Sequence, residues 1–552
     1  MTALDDFFTH YYARRPVNAT FTGIHAYDAD LPDWSQDGLA ALDDEMRSLG
    51  SALEAEYPSP TSVAAFRASP DLLDAELARA FLEIQRAENA SSHGPRGNPS
   101  LWTGEAIFSV IALMIREFAP VRERLERAEA RLAKFPQYPA PSGSVPREWK
   151  ARTLRDHDGA QILLTSGMIN WLTWADCSFD DRDRFYETAS IGRRSLRDFT
   201  TLAGQSLPDA PDSAMSCGAD FFDLLLTRGH FCARARGDLL AEAKERFAMV
   251  RAELDELTPA FGGSWAEAQR RIADDHPTPE EYHSAFETTW RSCHELAEQA
   301  HAISWPDNWP ISYESYPPWT DEAAPHLYYL HYRSPAPFDP VGVHPYVVPG
   351  MPSDPTAAET LLRVWNRSAI KLNHVVHHGA IGHHVQNWYA YNQQRSRVGK
   401  VAAVDCANRI GMFCGGTMAE GWACYATDLM EELGFLTPLE RVAQQHTRVR
   451  LLARAIVDIE FHQGSMTFAE AVAFYRINVG MSAEAAKAEV VKNSMYPCTA
   501  IMYWLGTQTI HDLRDEMKRR EGPRFSLRRF HGELLGYGSI PVPLVARMMT
   551  AV

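Results

Sequence analysis

Apolar residues recur at helical spacing along most of this chain. Between Leu72 and Leu82 they fall three and four positions apart, and Leu125, Ala128 and Leu132 form one stripe within the charged segment 121–135. Both segments predict surface helices packed against a core. Four later segments, Thr278-Pro279-Glu280-Glu281, Thr417-Met418-Ala419-Glu420, Thr437-Pro438-Leu439-Glu440 and Thr467-Phe468-Ala469-Glu470, read as capping boxes. In each, the Thr oxygen accepts from the third helical amide while the Glu reaches back, and in two of them Pro stands where no N–H is needed. Strand-like patterning is sparse. The best run is His326-Leu327-Tyr328-Tyr329-Leu330-His331-Tyr332, followed by a Pro-rich stretch and by His344-Pro345-Tyr346-Val347-Val348. Together they predict a short edge sheet. Pro and Gly clusters at 139–146 and 306–318 mark loops or lobe boundaries, and no internal repeat or low-complexity tract is present. The pattern predicts a mainly α fold.

Composition narrows the class. At 552 residues, with 45% apolar, 11% aromatic and 23% charged residues, the chain has the make-up of a large globular protein, which excludes a small binding module, a fibre and a disordered chain. A balance of 54 Lys+Arg to 71 Asp+Glu, net −17 and without a basic run, argues against nucleic acid as a partner. Eight cysteines scattered without C-x-x-C read as reduced, buried residues rather than a disulfide frame. The amino terminus shows no basic segment followed by an apolar stretch, and no later run is long and apolar enough for a membrane span, so a cytoplasmic, soluble protein with no membrane partner is expected.

The chemistry concentrates in one place. The segment Asn373-His374-Val375-Val376-His377-His378-Gly379-Ala380-Ile381-Gly382-His383-His384-Val385-Gln386 holds five of the chain's 21 histidines. Neutral imidazole is the commonest zinc ligand and suits other first-row metals. On a regular helix His374 and His378, four apart, share a face and can reach one ion. His377 and His383, six apart, converge only if Gly379 and Gly382 let the backbone bulge or break. Spacing alone prefers the first pair. A histidine-rich but metal-free surface helix is the plainer alternative.

These residues, with Ala419-Glu420-Gly421-Trp422-Ala423-Cys424-Tyr425-Ala426, the tail Phe530-His531-Gly532-Glu533-Leu534-Leu535-Gly536-Tyr537-Gly538 and the early Thr22-Gly23-Ile24-His25-Ala26-Tyr27, resemble the bacterial "domain of unknown function 885" family, which is grouped with zincin-like metallopeptidases. The resemblance runs over nearly the whole chain. It implies a zincin-like helical fold with a central cleft, and a metal held by His377, His383 and Glu420, reversing the preference from spacing. Glu420 has a plainer reading as the end of the Thr417 capping box, but Gly415-Gly416 before it permits close approach to a site. His374 and His384 stand as possible supporting or substrate-facing residues. Two positions depart from the family: His378 occupies the place of its proton-accepting Glu, and Ile381 the place of a Pro.

Arg454, Asp458 and His462 fall at intervals of four on one helix face, a spacing that commonly gives a solvated ion-pair stripe. The family's similar order implies instead a cleft-facing row in which Asp458 orients a basic partner and His462 donates to substrate. Tyr503 resembles the tyrosine that related metallopeptidases set opposite the metal, a candidate to stabilise an oxyanion. Arg514, Arg528 and His531 read better as packing residues.

The expectation is therefore an N-terminal helical lobe over 1–310 and a metal-site lobe over 311–552, forming one catalytic unit. Its activity is expected to be metal-dependent hydrolysis of a small peptide or amide-like substrate. His378, His462 and Tyr503 would be catalytic, and zinc would be bound ahead of iron, manganese or copper. The rivals are a lyase, isomerase or oxidative metalloenzyme acting on a small metabolite, and a non-catalytic descendant that binds metal or peptide.

Overall fold

Helix follows helix from the first residues onward, because the caps are in place. In the computed structural model, which describes all residues except 1, 140–141, 328–331, 341 and 552, Thr2 and Asp5 close a capping box on Ala3–Arg14. Ser69 caps Pro70–Ala90, and Asn98 caps Pro99–Met114, each with Pro at the start. The boxes at Thr437 and Thr467 form as expected on Pro438–His462 and Phe468–Phe474. Thr278 and Glu281 exchange the same two bonds in the turn just before Tyr282–Gln299. Thr417 does not cap. The helix already begins at Gly416, and the Thr417 hydroxyl accepts from the Val542 amide at 3.1 Å. Glu420 is thereby released from the capping role.

Helix Pro70–Ala90 is an interior element rather than the expected surface one, with every residue from Leu73 to Leu82 buried. Its polar members are satisfied locally. Asp74 accepts from Ser396 Oγ at 2.5 Å and from the Arg397 and Val398 amides at 2.7 and 3.2 Å, fixing the start of Arg397–Val401. Helix Val121–Lys134 buries the predicted stripe of Leu125, Ala128 and Leu132. It also buries Arg131, which donates to Ser109 O at 2.6 Å and Thr20 Oγ1 at 2.7 Å.

Two small parallel pairings complete the architecture. Val145–Pro146 pairs with Asp209–Ala210, and Ile311–Ser315 pairs with His344–Val348 in the register Tyr313↔Tyr346. The strand predicted at His344–Val348 is present, but its partner comes from the Pro-rich stretch read as a loop. His326 and Leu327 lie in turns, and positions 328–331 of the other predicted strand lie outside the described residues. The largest hydrophobic core joins Phe7, Phe81 and Tyr282 to Val375, Trp422 and Val545, so the amino-terminal helices pack into the same core as the histidine segment. No helix among the described residues is long and apolar enough to cross a membrane.

The early segment Thr22 to Tyr27 pins the loop that follows Tyr332. His25 Nδ1 lies 2.9 Å from Asp28 Oδ2 and Nε2 lies 2.8 Å from Asp339 Oδ1, with the ring stacked 3.8 Å from that of Phe118. Burial works against the charged ring, but the two carboxylates outweigh it and raise its pKa to about 9. Since the folded value exceeds the unfolded one, roughly 6.5, the stabilisation is complete below the unfolded pKa and is lost as pH rises through about 9. We therefore expect the stability difference between the parent and His25→Gln, followed by urea unfolding, to shrink by up to about 3 kcal/mol from slightly acidic to strongly alkaline pH. A difference that stays constant over that range would show that the ring is not held as a cation.

Candidate metal centre

The histidine segment enters on a short α-turn, Arg367–Ala369, whose first amides are capped by Asn366. It continues as a π-helix from Ile370 to Gly379. Such wider winding recurs at Leu163–Gly167, Leu202–Ser206, Leu225–Gly229 and Tyr475–Val479, so the winding alone does not mark a site. The helix then breaks, with Ala380 at φ −125°, ψ −117° and Gly382 at φ −73°, ψ −121°, and restarts as His383–Asn392. Gly382 is required by crowding: a Cβ there would lie 1.9 Å from the His377 carbonyl oxygen. Trp422 Nε1 donates to Ile381 O at 2.9 Å and Trp290 Nε1 to Gly379 O at 3.0 Å, locking the break from outside.

This break brings His377 and His383, six residues apart, to one point beside Glu420. Glu420, on helix Gly416–Glu432, places Oε2 3.4 Å from His377 Nε2 and 3.7 Å from His383 Nε2. Two ligands about 2.0–2.1 Å from a tetrahedral zinc stand roughly 3.3 Å apart, so these separations leave room for an ion between the three groups. Glu420 Oε2 is otherwise buried without a hydrogen-bond partner, an orphan that a cation would satisfy. His378 joins the group, since one nitrogen each of His377, His378 and His383 lies within 4.8 Å of the others. The donor set fits a transition metal.

Electrostatics agree. Burial pushes the Glu420 carboxyl up, but His377 and His383 outweigh it and hold it well below the usual carboxylate range. Burial lowers the His377 pKa against the pull of Glu420. His378 falls well below its ordinary value through burial and its histidine neighbours. An ionised carboxylate beside the imidazoles of His377 and His378, whose protonation is disfavoured, suits metal binding. The Cys424 thiol, one turn beyond Glu420, lies 4.0 Å from His377 Nδ1 and supports that ring from behind. Its spacing of four from Glu420 was visible in the sequence.

Other expected site residues divide sharply. Tyr503, at the start of Met502–Glu521, lines the cavity with His378, His383 and Glu420, a cavity of about 190 Å³. Its helix crosses Gly416–Glu432 so closely that a Cβ on Gly506 would lie 2.2 Å from Thr417 O and one on Gly421 would lie 2.5 Å from the Gly506 Cα. Arg454 also lines the cavity. It donates to Glu489 at 2.6 and 2.9 Å and lies over the Tyr503 ring, 5.0 Å from its centroid.

Asp458 and His462 do not face the cleft as expected. Asp458 is wholly buried and accepts the amides of Cys498 at 3.1 Å and Ile501 at 2.9 Å, so it orients backbone rather than a basic side chain. In doing so it fixes the turn, with Cys498 at φ +60°, that launches the Tyr503 helix. His462 is also wholly buried. Its Nε2 donates to Asn493 O at 3.1 Å and its Nδ1 accepts from the Cys217 amide at 3.1 Å, which leaves nothing to offer a substrate.

His374 turns away from the cluster, bonded to Tyr346 Oη at 2.7 Å and stacked 4.0 Å from Trp365, so the pair preferred by spacing does not converge. His384 donates from Nε2 to Trp309 O at 2.9 Å and accepts from Tyr332 Oη at 3.3 Å. It thereby positions Tyr332, a cavity-lining residue that sequence reasoning did not single out. Arg514 and His531 meet at the Tyr425 hydroxyl, 3.1 and 2.8 Å away, in a packing role.

The fold and site define a class: a mainly helical protein in which a π-helix and its break bring three histidines together beside a glutamate of another helix, at the edge of a cavity. The chain belongs to the family described as bacterial protein of unknown function (DUF885), whose sequence signature covers residues 178–549. No curated protein matches it. Among solved structures it is similar to "a putative lipoprotein of unknown function" from Shewanella oneidensis, at TM-score 0.75 and 18% identity over 99% of this chain and 98% of that one. A second, a "putative lipoprotein" from Colwellia psychrerythraea, gives TM-score 0.74 and 15% identity over 99% and 98%. At such identities the likeness shows the fold alone.

Proposed function

We propose that this protein is a metal-dependent hydrolase of the zincin-like kind, acting on a small peptide or amide-like substrate. One observation carries the reading: Nε2 of His377 and of His383 converge on an otherwise partnerless, buried oxygen of Glu420. These three residues would hold the ion, and their two-imidazole, one-carboxylate chemistry suits zinc. When bound, zinc supplies Lewis acidity toward a carbonyl and toward water.

The chain's own groups do the rest. Asn373 O accepts the Nδ1 proton of His378 at 2.7 Å, which leaves the lone pair on Nε2 beside the cluster. There His378 accepts a proton in place of the family's glutamate. Tyr503, fixed through Asp458 and the Gly421–Gly506 crossing, offers its hydroxyl to developing negative charge. Cys424 orients His377, and the Glu489–Arg454 pair supports the Tyr503 ring. His462 has no part in this scheme.

The third histidine also favours a second reading. A nitrogen-rich group of His377, His378 and His383 suits iron, manganese or copper, and with them a lyase, isomerase or oxidative reaction on a small metabolite. Elemental analysis of untreated protein separates the readings. We expect about one zinc per chain, with His377→Ala and Glu420→Ala each losing it. Iron or copper would favour the second reading. An empty site would point to a non-catalytic descendant, and full retention by both variants would refute the ligand assignment.

We infer a reducing, cytoplasmic location from eight free cysteines, seven of them buried. Cell fractionation tests this against the envelope location to which the descriptions of the two neighbours point.

A further inference from the structure

The cavity at the histidine cluster is lined by six cationic side chains, Arg15, Arg228, Arg333, Arg409, Arg454 and Lys492, against four carboxylates, Glu88, Asp405, Glu420 and Glu489. The chain as a whole has the opposite balance, 54 cationic to 71 acidic residues. Two further carboxylates, Glu76 and Glu83, pair with Arg228, so what the cavity offers an anion depends on which cation is left unmatched.

Four of the five arginines are already committed. Arg228 pairs with Glu76 and Glu83, each at 2.6 Å. Arg333 donates to Cys406 O at 2.5 Å and Ala407 O at 3.4 Å. Arg409 pairs with Glu88, and Arg454 with Glu489. Arg15 differs: among the described residues its guanidinium has neither a hydrogen bond nor an ion pair, only the rings of Phe81 and Tyr11, 4.9 and 5.8 Å from its Cζ. Glu88 and Glu105 act on it electrostatically, yet neither comes within the 4.0 Å of an ion pair.

The arginine is held in place by its neighbours. Its backbone is the single residue between helices Ala3–Arg14 and Pro16–Thr22, and Phe81 comes from the buried helix Pro70–Ala90. Gln85 and Asn408 also line the cavity, their amide groups donating to Glu88 at 2.6 Å and to Ser100 O at 3.2 Å. A planar fork of donors, stacked on aromatic rings and left without a partner, matches a carboxylate in two-point geometry.

We propose that Arg15 anchors a carboxylate of the substrate, so that the site takes small free acids such as a short peptide or an N-acylated amino acid. The inference rests on the hydrolase reading only for where the amide reacts; the anchoring itself rests on Arg15.

The test compares benzoylglycine with its neutral counterpart benzoylglycinamide, titrated by calorimetry into the parent, Arg15→Met and Arg15→Lys, each before and after metal removal. Metal content is measured in parallel. The parent is expected to bind the acid at least about tenfold more tightly than the amide, the scale of one charge-assisted contact. Arg15→Met should abolish that preference while leaving amide binding and metal content unchanged, and Arg15→Lys should keep part of it. An acid preference in a parent protein that carries no metal as purified would overturn the hydrolase reading but uphold this one. Equal binding of acid and amide by the parent, no binding of either, or a preference that survives in a folded Arg15→Met would overturn the proposal.

Discussion

Gly382→Ala is expected to destabilise the protein by about 3 kcal/mol and to strip its metal. The new methyl group would stand 1.9 Å from the His377 carbonyl oxygen and 2.6 Å from that of Val376, both backbone atoms that no rotamer change can move. Relief requires reopening the break between Gly379 and His383, and that break is what brings His377 and His383 to Glu420. Stability and metal retention should therefore fall together. Gly50, inside helix Gln36–Glu56 with nothing within 4 Å of its notional Cβ, is the control. There alanine removes only the conformational freedom of glycine and should stabilise by about 0.5–1 kcal/mol. Urea unfolding and elemental analysis of both variants check the contrast. A Gly382→Ala protein as stable and as metal-replete as the parent would mean that the break does not build the site.

Much of the candidate site was legible, and its failures have physical causes. Caps at Thr437 and Thr467 could be read because they are local: two residues three apart settle both bonds. Thr417 carries the same signature, but the helix begins one residue earlier and its hydroxyl is claimed by Val542, 125 positions away. Spacing favoured His374 with His378 because it presumes 3.6 residues per turn. The π-winding and the break overrule that period, and the two glycines were the local sign of it. His462 was misread for the opposite reason. An interval of four correctly placed it on one face with Arg454 and Asp458, but that face runs from the cavity at Arg454 into the core at Asp458 and His462. No local pattern shows where a long helix passes from cavity to interior. The same limit hid the strand Ile311–Ser315 among prolines and the contribution of Arg15, which reaches the cavity only because the first helices share a core with the histidine segment.

His378→Glu should keep the metal and change the chemistry. The proposed ligand set of His377, His383 and Glu420 is untouched by the substitution, so metal content should match the parent. What changes is the group beside it. The parent presents an imidazole whose proton affinity is reduced, first by burial and then by His377, His383 and His374, which makes it a poor acceptor for water-driven amide cleavage. We therefore expect weak, narrow peptidase activity from the parent. A carboxylate at 378 both orients water and accepts its proton, and a placed general base contributes a factor of about 10²–10⁴. On a panel of short peptides the variant should exceed the parent by about a hundredfold, while turnover of the parent's own substrate declines. His378→Ala separates base from ligand. If the imidazole is the proton acceptor, the alanine variant keeps its metal and loses turnover, whereas if it is a fourth donor, metal retention weakens as well. Broad peptide cleavage by the parent that His378→Ala leaves unchanged would show that this position does not carry the chemistry.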